Sequence, residues 1–238
     1  MAAAEADVLT IMDDDLDRWR QEQGGAQEEA EDGQIHMFVA DSNGRGLLRA
    51  GMEVDTSADI LLHRLDGGKR WQTLSILIRR DVNWWQLAAT SFGCRVGVAI
   101  IWMSGNDVYP HPHRLDRAPL PLDCVELHVR CVLRSLEEQA RRVIIIGPVP
   151  RWRFDRGLPW EECPAYQLER RLLYITKHAG GDVTLVTAGK ALTVAVRRRR
   201  IVGDKCEALF ASDGIHLSTQ GYAAVLRRLP AWLRWRPQ

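Results

Sequence analysis

The sequence predicts an α/β fold built on a parallel sheet. Two observations carry that prediction. Short apolar runs of strand length recur along the chain, and the residues between them are apolar at helical spacing. Repeated βα alternation implies a parallel sheet covered by helices on both faces. A third observation sets the scale. The chain has 238 residues, 46% hydrophobic and 26% charged, an ordinary globular balance and enough for one large domain with a proper core.

The elements follow in order. Residues 1–33 are acidic and rich in Ala, Gln and Glu, and are expected to be a mobile leader, with a short helix possible from Asp7 to Gln23. The folded domain is expected over 34–230, and residues 231–238 form a basic and aromatic C-terminal tail. Strands are expected at 35–40, 59–64, 95–102, 143–148 and 182–187, five in all. Helices are expected at 44–52, 70–79, 81–92, 123–140, 165–178 and 218–229. Asp123 is a candidate N-cap for the fourth of these. Lys177 and His178 followed by Gly180-Gly181 supply a stop for the fifth. In such sheets, sites form at the carboxyl ends of strands.

Charge and cysteine content exclude several classes. Net charge is +1, so the whole molecule is no obvious polyanion binder. The five cysteines (Cys94, Cys124, Cys131, Cys163, Cys206) are odd in number and form no CxxC pair, which argues against a zinc site or a disulfide framework and for a reducing, intracellular setting. No basic segment precedes an apolar stretch at the N-terminus, against a signal peptide. No apolar run approaches the ~20 residues that span a bilayer.

Three stretches carry chemistry when read together: Ala40-Asp41-Ser42-Asn43, Ser104-Gly105-Asn106-Asp107 and Asp213-Gly214-Ile215-His216-Leu217. They supply a hydroxyl, an amide donor, an acid and a base. Ser42 and Asn106 each follow an expected strand, which places both on one rim of the sheet. A serine between a strand and a helix has an exposed Oγ beside helix N-terminal amides, where negative charge is favoured. The plainer roles are a cap for Ser42 with Asp41, and turns for Asn106 and Asp213. Histidine is suited to general-base work near neutral pH, and an aspartate three residues away can hold its ring.

The order and spacing of these blocks resemble the SGNH hydrolases, also called GDSL esterases and lipases, over roughly residues 35–229. Ala40-Asp41-Ser42 is similar to the family's first block, with Ala40 where glycine is usual. Trp102-Met103-Ser104-Gly105-Asn106-Asp107 is similar to the third block, and Asp213 to Leu217 to the last. Val143 to Pro150 resembles the fourth strand and its turn. The resemblance implies a three-layer α/β/α sandwich, flavodoxin-like, around a five-stranded parallel sheet. It also implies a serine esterase with Ser42 as nucleophile, His216 as base and Asp213 as its orienter. The oxyanion hole would use the Ser42 backbone, the Asn106 side chain and a second-block glycine in Asp66-Gly67-Gly68-Lys69, Gly68 being favoured and Gly67 nearly equivalent. The substrate would be a small-molecule ester, and no metal or cofactor is required.

Other features compete for a role. Arg197 to Arg200 is a run of four arginines, and Leu226 to Arg236 mixes basic and aromatic residues. These could mark nucleic-acid contact, so the alternative function is a catalytically silent module of the same fold that binds nucleic acid or a protein partner. A solvated loop and a packed C-terminal segment are the simpler account. His111-Pro112-His113 lacks partners at metal-ligand spacing and is read as a surface loop. Trp102 is expected in the core, Trp84 and Trp85 in helix packing, and Trp152 and Trp160 along a substrate cleft.

Overall fold

The computed structural model describes residues 34–49, 52–55, 60–64, 69–80, 95–110, 118–137, 139–230 and 234–237. The leader expected over 1–33, the helix expected over 81–92, Trp84 and Trp85 lie outside them. The five-stranded sheet is formed by β1 (Gln34–Ala40), β3 (Ile60–Arg64), β4 (Arg95–Trp102), β5 (Ala140–Ile146) and β6 (Asp182–Val186), in the spatial order β3-β1-β4-β5-β6. Every neighbouring pair is parallel. The chain steps from β1 to β3 on one side, then returns to place β4 on the other. The strand order therefore reverses between β1 and β4, and a crevice at such a point is where open α/β sheets hold ligands.

Side-chain alternation along the strands splits the core in two. Met37, Val39, Ala99, Ile101, Val143 and Ile145 face one layer, containing α2 (Trp71–Arg80), α3 (Leu122–Glu137) and α5 (Pro164–Lys177). Phe38, Ala40, Ile100, Trp102, Ile144 and Ile146 face the other, with Tyr222, Val225 and Leu226 of α6 (Thr219–Leu226). The result is the expected three-layer sandwich. Each fully buried aliphatic side chain contributes ~1.5–3 kcal/mol, so the two faces together are the main source of stability. Trp102 is buried in the second layer, edge-on to Tyr222 at 6.0 Å.

Some boundaries differ from expectation. The first helix, α1 (Ser42–Arg49), begins at the serine itself and ends early, giving way to β2 (Met52–Asp55). Strand β2 pairs antiparallel with β9 (Arg234–Pro237), so the C-terminal residues include a strand. Asp123 is not the N-cap of α3. It lies within the first turn, where an acidic residue still complements the helix dipole. The predicted α6 start is clean: Ser218 Oγ accepts the Gly221 N–H at 3.2 Å. Two short strands, β7 (Val194–Val196) and β8 (Arg199–Ile201), form a hairpin, and α4 (Trp152–Asp155) is a single turn.

Candidate active site

Strands β1 and β4 leave the sheet side by side, with Ala40 opposite Trp102 and the Asp41 N–H on the Trp102 carbonyl at 3.3 Å. Asp41 is 1% exposed. Its Oδ1 accepts the Asn43 N–H at 3.0 Å and the Asn43 side-chain amide at 3.3 Å, which caps the start of α1. Its Oδ2 accepts the Ser104 N–H at 2.9 Å, the Ser104 hydroxyl at 2.6 Å and the Asn106 amide at 2.9 Å. Burial pushes the carboxyl above its ordinary value, while these donors and the charge of Arg151 pull it back. A group that accepts five hydrogen bonds is best served by the ionised form.

Asn106 is held from both ends. Its Nδ2 donates to Asp41 and, at 3.0 Å, to the Lys69 carbonyl. Its Oδ1 accepts from Arg151 Nη2 at 2.6 Å, and its own carbonyl accepts from Arg70 Nε at 3.0 Å. Next to it, Asp107 caps α2 by accepting the Trp71 N–H at 3.1 Å. Burial raises Asp107 to about 7.

The last block is a compact turn. An isolated bridge joins Phe210 to Leu217, and the Ala211 N–H donates to the His216 carbonyl at 2.9 Å. Asp213 Oδ1 accepts the Ile215 and His216 N–H groups at 2.8 and 2.9 Å. Its Oδ2 lies 2.6 Å from His216 Nδ1, which leaves Nε2 for another partner. Both side chains are part-exposed, 39% for His216 and 42% for Asp213. Burial pushes Asp213 upward, but the imidazole and the two backbone donors outweigh it and leave the carboxyl below its ordinary value. Gly214 has φ +65°, and its carbonyl accepts the Arg153 N–H at 2.9 Å. An added Cβ there would stand 3.0 Å from that same nitrogen, so glycine suits the position twice over.

Hydrogen bonds tie these blocks together. Val149 N–H donates to the Ser104 carbonyl at 3.3 Å, and Arg151 reaches Asn106. Two residues on, Arg153 grips the His216 turn. On the other flank, the Tyr222 hydroxyl of α6 donates to Asn43 Oδ1 at 3.2 Å. Glycine at position 46 permits that approach, because a Cβ there would fall 1.7 Å from the Tyr222 oxygen.

The chain matches no known family by sequence model, and no curated protein matches it. Solved structures do match. An acetylxylan esterase from Geobacillus stearothermophilus superposes with a TM-score of 0.54 at 18% identity, covering 86% of this chain and 99% of the esterase. A GDSL-like lipase from Bacteroides thetaiotaomicron superposes with a TM-score of 0.53 at 14% identity, covering 88% of this chain and 92% of the lipase. The fold is that of the SGNH hydrolases. At these identities the likeness speaks to architecture, and the site must be argued from its own atoms.

Within the SGNH fold, Ser42 opens α1 at the β1 terminus, Asn106 follows β4, and Asp213 and His216 share the turn before α6. Capping of α1 falls to Asp41, and the Ser42 hydroxyl makes no hydrogen bond among the described residues, to His216 or to any other. Gly67, Gly68, His111 and His113 lie outside the described residues. Among the described residues no cluster of His, Cys, Asp and Glu could hold a metal ion, and no helix is long and apolar enough to cross a membrane. Cys124, Cys131, Cys163 and Cys206 are free thiols.

Two sequence expectations need adjustment. Trp160 does not line a cleft: it is 1% exposed and packs in the core layer of α2, α3 and α5. Trp152 is half-buried and stacks on Phe210 at 6.2 Å, beside the His216 turn. The arginine run is a hairpin, with Arg197 at its turn (φ 53°) and Arg200 donating to Thr193 and to the Lys190 carbonyl. Sequence reasoning passed over Asp41 and Ser104 as anchors, and it passed over Arg151 altogether. An arginine directly after Val149-Pro150, at the end of an apolar strand, was the available signal.

Proposed function

We propose that this protein is a serine esterase acting on carboxylic esters, with Ser42 as nucleophile, His216 as general base and Asp213 as its orienting acid. The observation that carries this reading is the Asp213–His216 contact of 2.6 Å on a turn fastened to the Asn106 network. Asp213 occupies Nδ1, so the imidazole presents Nε2 as the proton acceptor. Among the described residues Ser42 Oγ has no competing partner. It attacks the ester carbonyl while His216 takes its proton, and the protonated imidazole then returns the proton to the leaving alcohol. Water activated by the same nitrogen resolves the acyl-enzyme. In the substrate-free state the Ser–His hydrogen bond is commonly long, and it closes to ~3 Å in the Michaelis complex.

The oxyanion would be met by the Ser42 backbone N–H, which has no intrahelical acceptor at a helix start, by Asn106 Nδ2 and by Gly68 or Gly67. Asn106 Nδ2 is shared between the Asp41 carboxylate and the Lys69 carbonyl. A charge-assisted hydrogen bond is roughly twice as strong as a neutral one. An incoming oxyanion therefore displaces the Lys69 carbonyl and leaves the Asp41 bond in place.

The test is hydrolysis of a short acyl ester such as p-nitrophenyl acetate. Wild type should turn it over, and Ser42→Ala should abolish turnover while the melting temperature stays close to wild type. Undiminished burst or steady-state activity in Ser42→Ala would remove the nucleophile assignment.

A further inference from the structure

Resting on the esterase reading, we infer that Arg151 is a positioning residue that fixes the direction in which Asn106 offers its amide. An asparagine side chain can flip by 180°, exchanging its donor and its acceptor. Here the flip is blocked by chemistry on both sides. Arg151 can only donate, and it holds Oδ1 at 2.6 Å. The Asp41 carboxylate and the Lys69 carbonyl can only accept, and they hold Nδ2. A flipped amide would set N–H against guanidinium and oxygen against carboxylate. Without Arg151 only the acceptor side of this lock remains.

Arg151 is itself held in place. It is 3% exposed, and it stands in extended conformation immediately before α4. Its backbone N–H donates to Asp155 Oδ2 at 2.8 Å, and Asp155 also accepts the Tyr109 hydroxyl. The guanidinium lies over the Tyr109 ring, 4.7 Å from its centroid. The loop after β4, which carries Asn106 and Tyr109, is thereby stitched to the segment after β5. Burial pulls the guanidinium below its ordinary value, while Asp41, Tyr109 and Asp155 favour the charge. The charged fork also offsets the Asp41 carboxylate that shares the amide.

The test is a double-mutant cycle on kcat and KM for p-nitrophenyl acetate. Arg151→Met should lower kcat by roughly tenfold with KM within about twofold, less than the ~10²-fold or greater loss in Asn106→Ala, because Asp41 and the Lys69 carbonyl still hold Nδ2. The double variant should be no slower than Asn106→Ala, because Arg151 acts through that amide. Arg151→Lys keeps a donor and should recover part of the loss. It also replaces methionine in the cycle if Arg151→Met does not fold. Multiplied losses in the double variant, or a loss confined to KM, would overturn the assignment while leaving the esterase reading intact. Absence of Ser42-dependent turnover in wild type would overturn both.

Discussion

Asp41 and Asp213 each hold a neighbouring side chain in the candidate site, yet their surroundings differ. Asp41 is buried, collects five hydrogen bonds from Asn43, Ser104 and Asn106, and joins two strand ends. Asp213 is part-exposed and serves a turn of four residues, in which it holds two backbone amides and one imidazole. The comparison teaches that the two halves of the proposed chemistry are supported differently. Electrostatic stabilisation needs donors that do not reorganise, and the Asp41 side supplies them through burial and redundancy. Proton transfer needs a base that meets substrate and water, and the Asp213 side leaves the ring accessible.

The largest expected effect tests the exposed half. His216→Ala should lower kcat/KM by ~10⁴-fold or more with little change in melting temperature, since few contacts are lost. Asp213→Ala should do no more damage than that, and the Asp213→Ala/His216→Ala double variant should be little worse than His216→Ala alone. The reverse ranking, with His216 dispensable, would reduce the last block to a structural turn.

The buried half should break in the opposite way. Asp41→Ala leaves the Ser104 N–H and the Asn43 amide without their acceptor, removes one of the two acceptors of the Asn106 amide and strips a partner from the Arg151 charge. It should destabilise the protein by about 3–5 kcal/mol in urea unfolding. A variant of wild-type stability would show that the network is not what holds the strand ends together.

The same contrast explains what could be read from the chain beforehand. Strand β4 was legible residue for residue because Val96 to Trp102 is an apolar run buried on both faces. Strand β5 starts at Ala140, three residues before its apolar run. Arg141 and Arg142 hid that start, and Arg142 is satisfied there by Asp182 of β6 at 2.6 Å. The β2–β9 and β7–β8 pairs were missed because three or four residues carry no usable period. The Asp213–His216 turn was legible because its partners are neighbours in sequence. The Asp41–Asn106–Arg151 network joins residues 65 and 45 positions apart, and only the sheet order brings them together.

The smallest effect concerns a buried acid away from the site. Glu169 of α5 is 4% exposed, beside Gly147 and the Gly189 backbone, and burial raises it from 4.5 to about 7. The folded state therefore favours the neutral acid. Its contribution is fully present below pH ~4.5 and is lost as pH rises towards about 7, because the unfolded chain ionises first. Glu169→Gln should gain melting temperature relative to wild type between pH 4.5 and pH 7.5. A difference that stays constant over that range would contradict the neutral-acid account.

The central claim is that three separated blocks converge to make Ser42 a nucleophile served by His216. Covalent labelling by a fluorophosphonate, located by mass spectrometry of the digested protein, tests it most directly. The account predicts a single adduct on the Ser42 peptide, lost in Ser42→Ala and greatly slowed in His216→Ala. An adduct on another serine, or labelling of Ser42 at an unchanged rate in His216→Ala, would contradict it.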